Sequence, residues 1–174
     1  MNKLHLYTGD GKGKTTAAMG LVLRSVGHGG RALIGQFVKD GRSGELIALA
    51  QQPGARVLPC PPMEGFLAHM TEAEHTAARH AQTEYTHALI HAVEDFRPDC
   101  IVLDELAMAV TLGMVPEDAA RALIAACLHE GETVVTGYFA PAWLWDMADY
   151  VTSMQSEKHP YQTEHLPARK GVEW

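Results

Sequence analysis

Short apolar runs alternate with longer amphipathic stretches along the whole chain. Mainly apolar runs predict six strands, at positions 4–7, 31–37, 55–58, 99–104, 133–136 and 150–154. Between them, apolar residues recur every three or four positions, as on one face of a helix. This period predicts helices at 14–26, 44–50, 72–95, 116–129 and 141–147. A chain that alternates strands with helices forms a parallel sheet covered by helices, so the pattern predicts an α/β fold.

A glycine-rich loop, GDGKG at positions 9–13, connects the first predicted strand to the first predicted helix. Glycine has no Cβ, so such a loop can turn sharply. Its N–H groups and the helix N-terminus carry partial positive charge, Lys14 adds a full charge, and a threonine hydroxyl can bind Mg²⁺. The segment predicts a phosphate-binding loop, and we expect nucleotide contacts from Gly9, Asp10, Gly11, Lys12, Gly13, Lys14, Thr15 and Thr16.

This loop departs at one position from the usual pattern G-x-x-x-x-G-K-[ST], because Thr8 stands in place of the first glycine. The alternative is a glycine-rich turn that binds nothing. A turn of that kind does not need a Lys-Thr pair at a helix start directly after a strand, so the pattern favours phosphate binding.

Two acids, Asp104 and Glu105, end the fourth predicted strand. Near a phosphate loop, acids in this position hold Mg²⁺ directly or through water, so Thr15, Asp104 and Glu105 form the predicted metal site. The alternative is that the acids cap the following helix. Gln36 and Lys39 lie at the carboxyl end of the second predicted strand, where open parallel sheets place their ligands.

Loop and acids together predict a three-layer P-loop domain of the RecA-like type with a mostly parallel sheet. At 174 residues the chain is long enough for one such domain with a substantial core. Residues 158–174 show no clear periodicity, so we expect an irregular C-terminal tail on the single domain.

Composition limits the kinds of binding partner and the cellular compartment that we expect for this protein. A net charge of −7 argues against nucleic-acid binding, which normally shows as a basic excess. No apolar run approaches the length of a membrane span, and the N-terminus leads directly into a strand, so we expect neither a membrane anchor nor a signal peptide. Cys60, Cys100 and Cys127 are widely spaced, which is typical of reduced cysteines in a cytoplasmic protein.

No nucleophile paired with a base is evident, so the chemistry of an enzyme built on this chain would need no protein nucleophile.

The chain resembles the ATP:corrinoid adenosyltransferases, the cob(I)alamin adenosyltransferases with a P-loop fold. The matching segments span nearly the whole sequence in order: TGDGKGKTTAA at 8–18, RSVGHG at 24–29, QFVK at 36–39, VLDEL at 102–106, TG at 136–137, ADYVT at 148–152, KHPY at 158–161 and ARKGVEW at 168–174. The G-x-G-K-G-K-T-T loop combined with these C-terminal motifs is far more specific than a phosphate loop alone.

The resemblance implies a reaction. The family moves the 5′-deoxyadenosyl group of ATP to Co(I) of a reduced corrinoid, which gives adenosylcobalamin in cobalamin biosynthesis and releases triphosphate. Co(I) is itself a strong nucleophile without a proton to remove, which fits the missing base. Mg²⁺ as cofactor, a cytoplasmic homodimer and a reducing flavoprotein as electron donor are also implied.

Site residues follow from the same resemblance. Lys14, Thr15, Glu105 and Phe66 are the expected catalytic residues. Residues 9–16 grip the triphosphate of an ATP that lies reversed in the loop, and Thr15 and Glu105 serve Mg²⁺ or the ribose. Arg24 and Gln36 approach the nucleotide. Phe66 aligns with an aromatic residue that covers the lower face of the corrin and keeps a ligand off cobalt.

The chain departs from the family pattern at two positions and in one segment. Tyr138 replaces an arginine, Ala68 replaces a tryptophan, and the segment 161–168 lacks a glycine. The first two favour an alternative function, a non-catalytic carrier or regulator that binds ATP or adenosylcobalamin. A P-loop kinase or hydrolase is a further alternative, disfavoured because no phospho-acceptor base or water-positioning residue is evident.

Overall fold

The structure is a computed structural model that describes residues 1–39, 41, 43–61 and 70–173. Its strands are β1 (Leu4–Thr8), β2 (Ala32–Gln36), β3 (Ala55–Val57), β4 (Cys100–Asp104), β5 (Glu132–Thr136) and β6 (Tyr150–Ser153). Its helices are α1 (Lys14–Gly27), α2 (Gly44–Leu49), α3 (Glu72–Phe96), α4 (Leu106–Thr111), α5 (Glu117–Glu130), α6 (Ala142–Met147) and α7 (Pro160–Glu164).

All six described strands pair in parallel in one sheet, in the order β3-β2-β4-β5-β1-β6. β5 separates β1 from β4, and Tyr7 is paired with Thr136 while Gln36 is paired with Asp104. Parallel strands end at the same edge of a sheet, and ligands of open α/β sheets bind at that edge. The topology therefore places the glycine-rich loop after β1 and the acids after β4 at one edge.

Helices cover the sheet on both faces. Alternate residues of β2 point to opposite layers: Ile34 packs with Met19 and Val22 of α1, whereas Leu33 belongs to the cluster that contains Leu89 of α3. A strand that is buried on both faces needs apolar residues at successive positions. This explains why β2 and β4 read as continuous apolar runs.

The predicted fold class is confirmed, and the sheet is entirely parallel in the described residues. Thr71 caps α3 as its sequence suggests: its hydroxyl accepts a hydrogen bond from the Glu74 N–H at 3.3 Å, and its own N–H donates to the Glu74 carboxylate at 2.7 Å. Two short helices, α4 and α7, were missing from the prediction. α4 is almost wholly apolar and α7 has a single turn, so neither shows a helical period.

Two of the three cysteines lie in the core. Cys100 and Cys127 are buried, and burial raises the pKa of the Cys100 thiol to about 12. No helix within the described ranges has both the length and the apolar character that a membrane span requires.

Close packing of α3 on β2 depends on Gly35. A Cβ at this position would lie 2.8 Å from both methyl carbons of Leu89, a side chain buried in the core. We expect Gly35→Ala to lower the free energy of unfolding by about 1–3 kcal/mol, as overpacking does. Urea unfolding monitored by circular dichroism measures this.

Gly20 is the matched control for this substitution. It lies in α1 on the exposed surface, and a Cβ there would meet nothing within 4 Å. Gly20→Ala should raise the free energy of unfolding by about 0.5–1 kcal/mol because alanine loses less backbone entropy. Equal effects of the two alanines would contradict the close α3–β2 approach.

Candidate functional site

The glycine-rich loop is held by the ends of its two neighbouring strands. The Gly9 N–H donates to the Tyr138 carbonyl at 3.3 Å, and the Gly11 N–H donates to the Met154 carbonyl at 2.8 Å. Gly9 has a φ of +102°, and a Cβ on it would collide with the Met154 carbonyl oxygen. Glycine is therefore required here both for the left-handed backbone and for the close approach of the chain beyond β6.

Lys14 opens α1 and turns back into this loop. Its Nζ donates to the Gly9 carbonyl at 2.6 Å and to the Gly11 carbonyl at 2.7 Å, and lies 5.7 Å from the centre of the Tyr138 ring. Burial lowers the pKa of the Lys14 ammonium, against the opposite influence of Glu105 and Asp10. The predicted phosphate-binding lysine is thus at the centre of the loop, with the loop carbonyls as its partners.

Asp104 is fully buried and accepts four hydrogen bonds. Its Oδ1 accepts from Thr15 Oγ1 at 2.9 Å and Thr136 Oγ1 at 2.7 Å, and its Oδ2 accepts from Gln36 Nε2 at 2.8 Å and Lys39 Nζ at 3.0 Å. Burial alone would raise the pKa of Asp104, but the Lys39 charge and these hydrogen bonds outweigh it and lower the pKa. The carboxylate joins α1, β2 and β5 at the edge of the sheet.

Glu105 lies beside it at the start of α4, in a left-handed conformation with φ of 60°. Its N–H donates to Thr136 Oγ1 at 2.9 Å, so one hydroxyl orients both acids. Glu105 Oε1 lies 3.4 Å from Lys39 Nζ, which also donates to Thr15 Oγ1 at 3.1 Å. Burial alone would lower the pKa of Lys39, but Asp104 and Glu105 raise it. The Thr15 hydroxyl and the carboxylates of Asp104 and Glu105 thus surround the Lys39 ammonium. Hydroxyl and carboxylate oxygens are also the ligands that Mg²⁺ prefers.

A cavity of about 560 Å³ opens over these groups, a volume typical of small-molecule sites. Described residues from five parts of the chain line it: Lys12–Thr16, Lys39, Ser43–Glu45, Glu105 and Gly171–Glu173. The Ser43 hydroxyl oxygen is buried, and the described residues offer it no hydrogen-bond partner. The cavity therefore combines cationic, hydroxyl and carboxylate groups on its walls.

The C-terminal tail forms one wall of this cavity. The Glu173 carboxylate accepts from the Arg169 N–H at 2.8 Å and from its guanidinium at 3.0 Å, and lies 3.4 Å from Lys12 Nζ in the loop. Hydrogen bonds from Arg169 lower the pKa of Glu173 to about 2. The negative charge of Glu173 thus stands where an anionic ligand of the loop would meet Lys12.

The structure brings together residues 9–16, Asp104 and Glu105, as the sequence predicts. Gln36 is buried beneath the cavity and contacts Asp104. Arg24 lies exposed in the last turn of α1, about 15 Å along the helix axis from Lys14, and is not among the described residues that line the cavity. Phe66 lies outside the described residues.

Sequence reasoning missed three parts of the site. It placed Lys39 at the right edge of the sheet but assigned it no contact with the acids. Thr136 could have been found as a hydroxyl at the end of a predicted strand. The tail carries a motif of the resembling family, ARKGVEW at 168–174, and opposite charges four residues apart at Arg169 and Glu173, but neither pattern places it on the cavity wall.

Comparison with known proteins gives consistent matches. The family described as ATP:corrinoid adenosyltransferase BtuR/CobO/CobP matches residues 1–174. A corrinoid adenosyltransferase of Pseudomonas aeruginosa is 32% identical over 171 residues, which cover 98% of this chain and 83% of the relative. The corrinoid adenosyltransferase CobA of Salmonella typhimurium is 30% identical over 170 residues, which cover 97% of this chain and 84% of the relative. The likeness extends well beyond the phosphate-binding loop.

The position of Glu173 beside Lys12 leads to a prediction about anion binding. Glu173→Gln removes a negative charge beside Lys12, so inorganic tripolyphosphate should bind about three- to tenfold more tightly in low salt. The gain should shrink as added salt screens the charge. Titration calorimetry measures both effects. Glu164→Gln, which neutralises an exposed acid in the same tail, is the control and should leave the affinity unchanged. Equal affinities of wild type and Glu173→Gln would contradict this role of Glu173.

Proposed function

This chain belongs to the ATP:corrinoid adenosyltransferase family, and we propose that it transfers the 5′-deoxyadenosyl group of ATP to Co(I) of a reduced corrinoid, giving adenosylcobalamin and triphosphate. One observation carries the proposal at the level of the site. The glycine-rich loop, with Lys14 at its centre, lines one cavity together with Glu105, and the buried Asp104 contacts Thr15 on the wall of that cavity, an arrangement that suits a nucleotide triphosphate and its metal.

The reaction requires the protein mainly to position its two substrates and to stabilise the charge on the leaving triphosphate. Co(I) attacks C5′ of ATP, the bond from C5′ to the triphosphate oxygen breaks, and its electron pair leaves with triphosphate. No proton has to be removed from the nucleophile. Lys12, Lys14 and the loop N–H groups are placed to stabilise the charge that develops on the departing triphosphate.

We assign roles on this basis. Residues 9–16 hold the triphosphate, and Thr15, Asp104 and Glu105 would hold Mg²⁺, which would supply positive charge to offset that of the phosphates. Support for the metal comes from the three side-chain oxygens that surround the Lys39 ammonium. Gln36 fixes the Asp104 carboxylate. Arg24 remains a proposed nucleotide contact that rests on the resemblance alone.

Other parts of the proposal rest on the family and on the surface. A reduced corrinoid requires an electron donor, for which we propose a reducing flavoprotein in the cytoplasm. We also propose a homodimer. Its support is β6, which pairs with β1 on one side and with no other described strand on its outer side, and in which Tyr150 is 54% exposed and Val151 is 39% exposed, because an open apolar edge favours association.

Two alternatives remain distinguishable by experiment. Tyr138, in place of the family arginine, offers Lys14 an aromatic ring and no second positive charge, which favours a carrier or regulator that binds without transfer. A hydrolase would need a base for water. The two acids of the proposed metal site, Asp104 and Glu105, are both paired with Lys39.

The product of the reaction tests the function. Protein, MgATP and chemically reduced cob(I)alamin are mixed without oxygen, and the corrin spectrum is followed to completion. We expect adenosylcobalamin in the spectrum and intact triphosphate in phosphorus NMR. ADP as the main product would indicate a kinase or hydrolase, and binding of ATP without either product would indicate a carrier.

Lys14→Ala tests the nucleotide site, and titration calorimetry with ATP measures the affinity. It removes a charge that meets the triphosphate, so the dissociation constant of ATP should rise about 10- to 100-fold, as expected for a charge-assisted contact. Lys3→Ala is the matched control, because Lys3 pairs with Asp149 beside the opposite end of β1. Unchanged ATP affinity of Lys14→Ala would remove the loop as the nucleotide site.

A second prediction concerns Phe66 and the reduction of cobalt. A lower-face ligand makes Co(II) harder to reduce, and an apolar ring in its place donates no electrons to the metal. Phe66→Ala should therefore strongly reduce turnover from cob(II)alamin with a weak reductant. It should reduce turnover from prepared cob(I)alamin much less. Equal losses in both assays would indicate a packing role instead.

A further inference from the structure

Lys39 occupies the point on which the predicted metal ligands converge. Its ammonium lies 3.1 Å from Thr15 Oγ1, 3.0 Å from Asp104 Oδ2 and 3.4 Å from Glu105 Oε1. The same side chain lines the cavity and is 35% exposed, so it has space to move away from the acids. A lysine has a flexible four-carbon chain and ends in a single compact charge, which suits such a movement.

The two acids need a cation in this place. The side chain of Asp104 is fully buried and that of Glu105 is only 16% exposed, so neither charge is well hydrated. Two adjacent buried carboxylates without a counter-charge are strongly unfavourable. Other lysines on the cavity wall are engaged elsewhere: Lys14 contacts loop carbonyls, and Lys12 lies beside Glu173.

The backbone before Lys39 also shows that its placement is constrained. Val38 has a φ of 46°, in the left-handed region that β-branched residues avoid. Such strain persists only where the surrounding structure determines the conformation, and it is common where a side chain is held for function. The bend at Val38 lies directly between the carboxyl end of β2 and the lysine that meets the acids.

We propose that Lys39 is a positioning residue that holds the metal position in the nucleotide-free protein and suppresses the binding of Mg²⁺ alone. The ammonium and a divalent cation cannot share three ligands, since their mutual repulsion at this separation is large. The metal therefore enters together with the nucleotide, whose phosphates then offer Lys39 a new partner. This inference rests on the proposed nucleotide and metal site.

Manganese binding in the absence of nucleotide tests the inference. Mn²⁺ replaces Mg²⁺ in oxygen sites, and its unbound fraction is measured directly by electron paramagnetic resonance. Lys39→Met removes the charge and keeps an unbranched chain. We expect this variant to bind Mn²⁺ at least about tenfold more tightly than the wild type, because the freed carboxylates then attract the divalent cation. Equal or weaker binding would overturn the proposal.

Two further variants separate charge from structure. Lys39→Arg keeps the positive charge and should leave Mn²⁺ binding as weak as in the wild type. Lys3→Met removes a lysine outside the cavity and should also leave it unchanged, because Lys3 pairs with Asp149 beside the opposite end of β1. Tight Mn²⁺ binding by Lys39→Arg would show that the charge of Lys39 is not the cause and would overturn the proposal.

Thermal unfolding gives an independent measurement on the same proteins. Lys39→Met leaves Asp104 and Glu105 without their cation, so its Tm should rise on addition of Mn²⁺ alone, whereas the wild-type Tm should not. If Lys39→Met does not fold, Lys39→Gln removes the charge and keeps a hydrogen-bond donor, and the same outcomes apply. Absence of an Mn²⁺-dependent rise in the uncharged variant would count against the proposal.

Failure of this inference and failure of the proposed function are distinguishable. Wild-type binding of MgATP and release of triphosphate test the function without any Lys39 variant. A wild type that passes those tests while Lys39→Met binds Mn²⁺ no more tightly would overturn the role of Lys39 alone. A wild type that does not bind MgATP would remove the proposed function itself.

Discussion

The buried carboxylate of Asp104 is the constraint on which the rest of the site depends. A charge in a fully buried position is tolerated only with several close partners. Asp104 obtains them from Thr15, Gln36, Lys39 and Thr136, which belong to different parts of the chain. The parts of the chain that carry these four residues must therefore all reach the carboxyl end of β4. The need to satisfy one charge thus fixes how the strands and the first helix meet.

The parallel sheet makes that meeting possible. Because all described strands run in one direction, the residues after β1, β2, β4 and β5 lie at the same edge. β5 lies between β1 and β4 and has a particular role. The hydroxyl of its last residue, Thr136, donates to the Asp104 carboxylate and accepts from the Glu105 backbone N–H, and the Tyr138 carbonyl beyond it accepts from the Gly9 N–H. A single strand end therefore positions the acids and the glycine-rich loop relative to each other.

The sequence predicted the features that are local along the chain, and it missed those that depend on distant pairs. The loop at 9–13, the apolar strands and the acids at their ends each have a pattern within a few residues, and the structure brings them together. The contact of Lys39 with Asp104 joins residues 65 positions apart, and no local pattern specifies it. The same holds for Glu173 and Lys12, which are 161 positions apart. Arg24 shows a different case: its nucleotide contact is implied by the resemblance alone, and it lies in the last turn of α1, outside the described residues that line the cavity.

Charge balance explains how such a site could select its ligand. Each lysine on the described cavity wall already has an internal partner: Lys14 the loop carbonyls, Lys12 the carboxylate of Glu173, and Lys39 the two acids. Binding is then an exchange of partners. A phosphate chain alone could draw Lys39 away only by leaving Asp104 and Glu105 without a positive counter-charge. A metal ion alone would be repelled by the Lys39 ammonium. A triphosphate that carries its metal offers an anion to the lysines and a cation to the acids at once, so every buried charge keeps a partner. With the roles proposed for these residues, the arrangement favours the complete metal–nucleotide complex over either component.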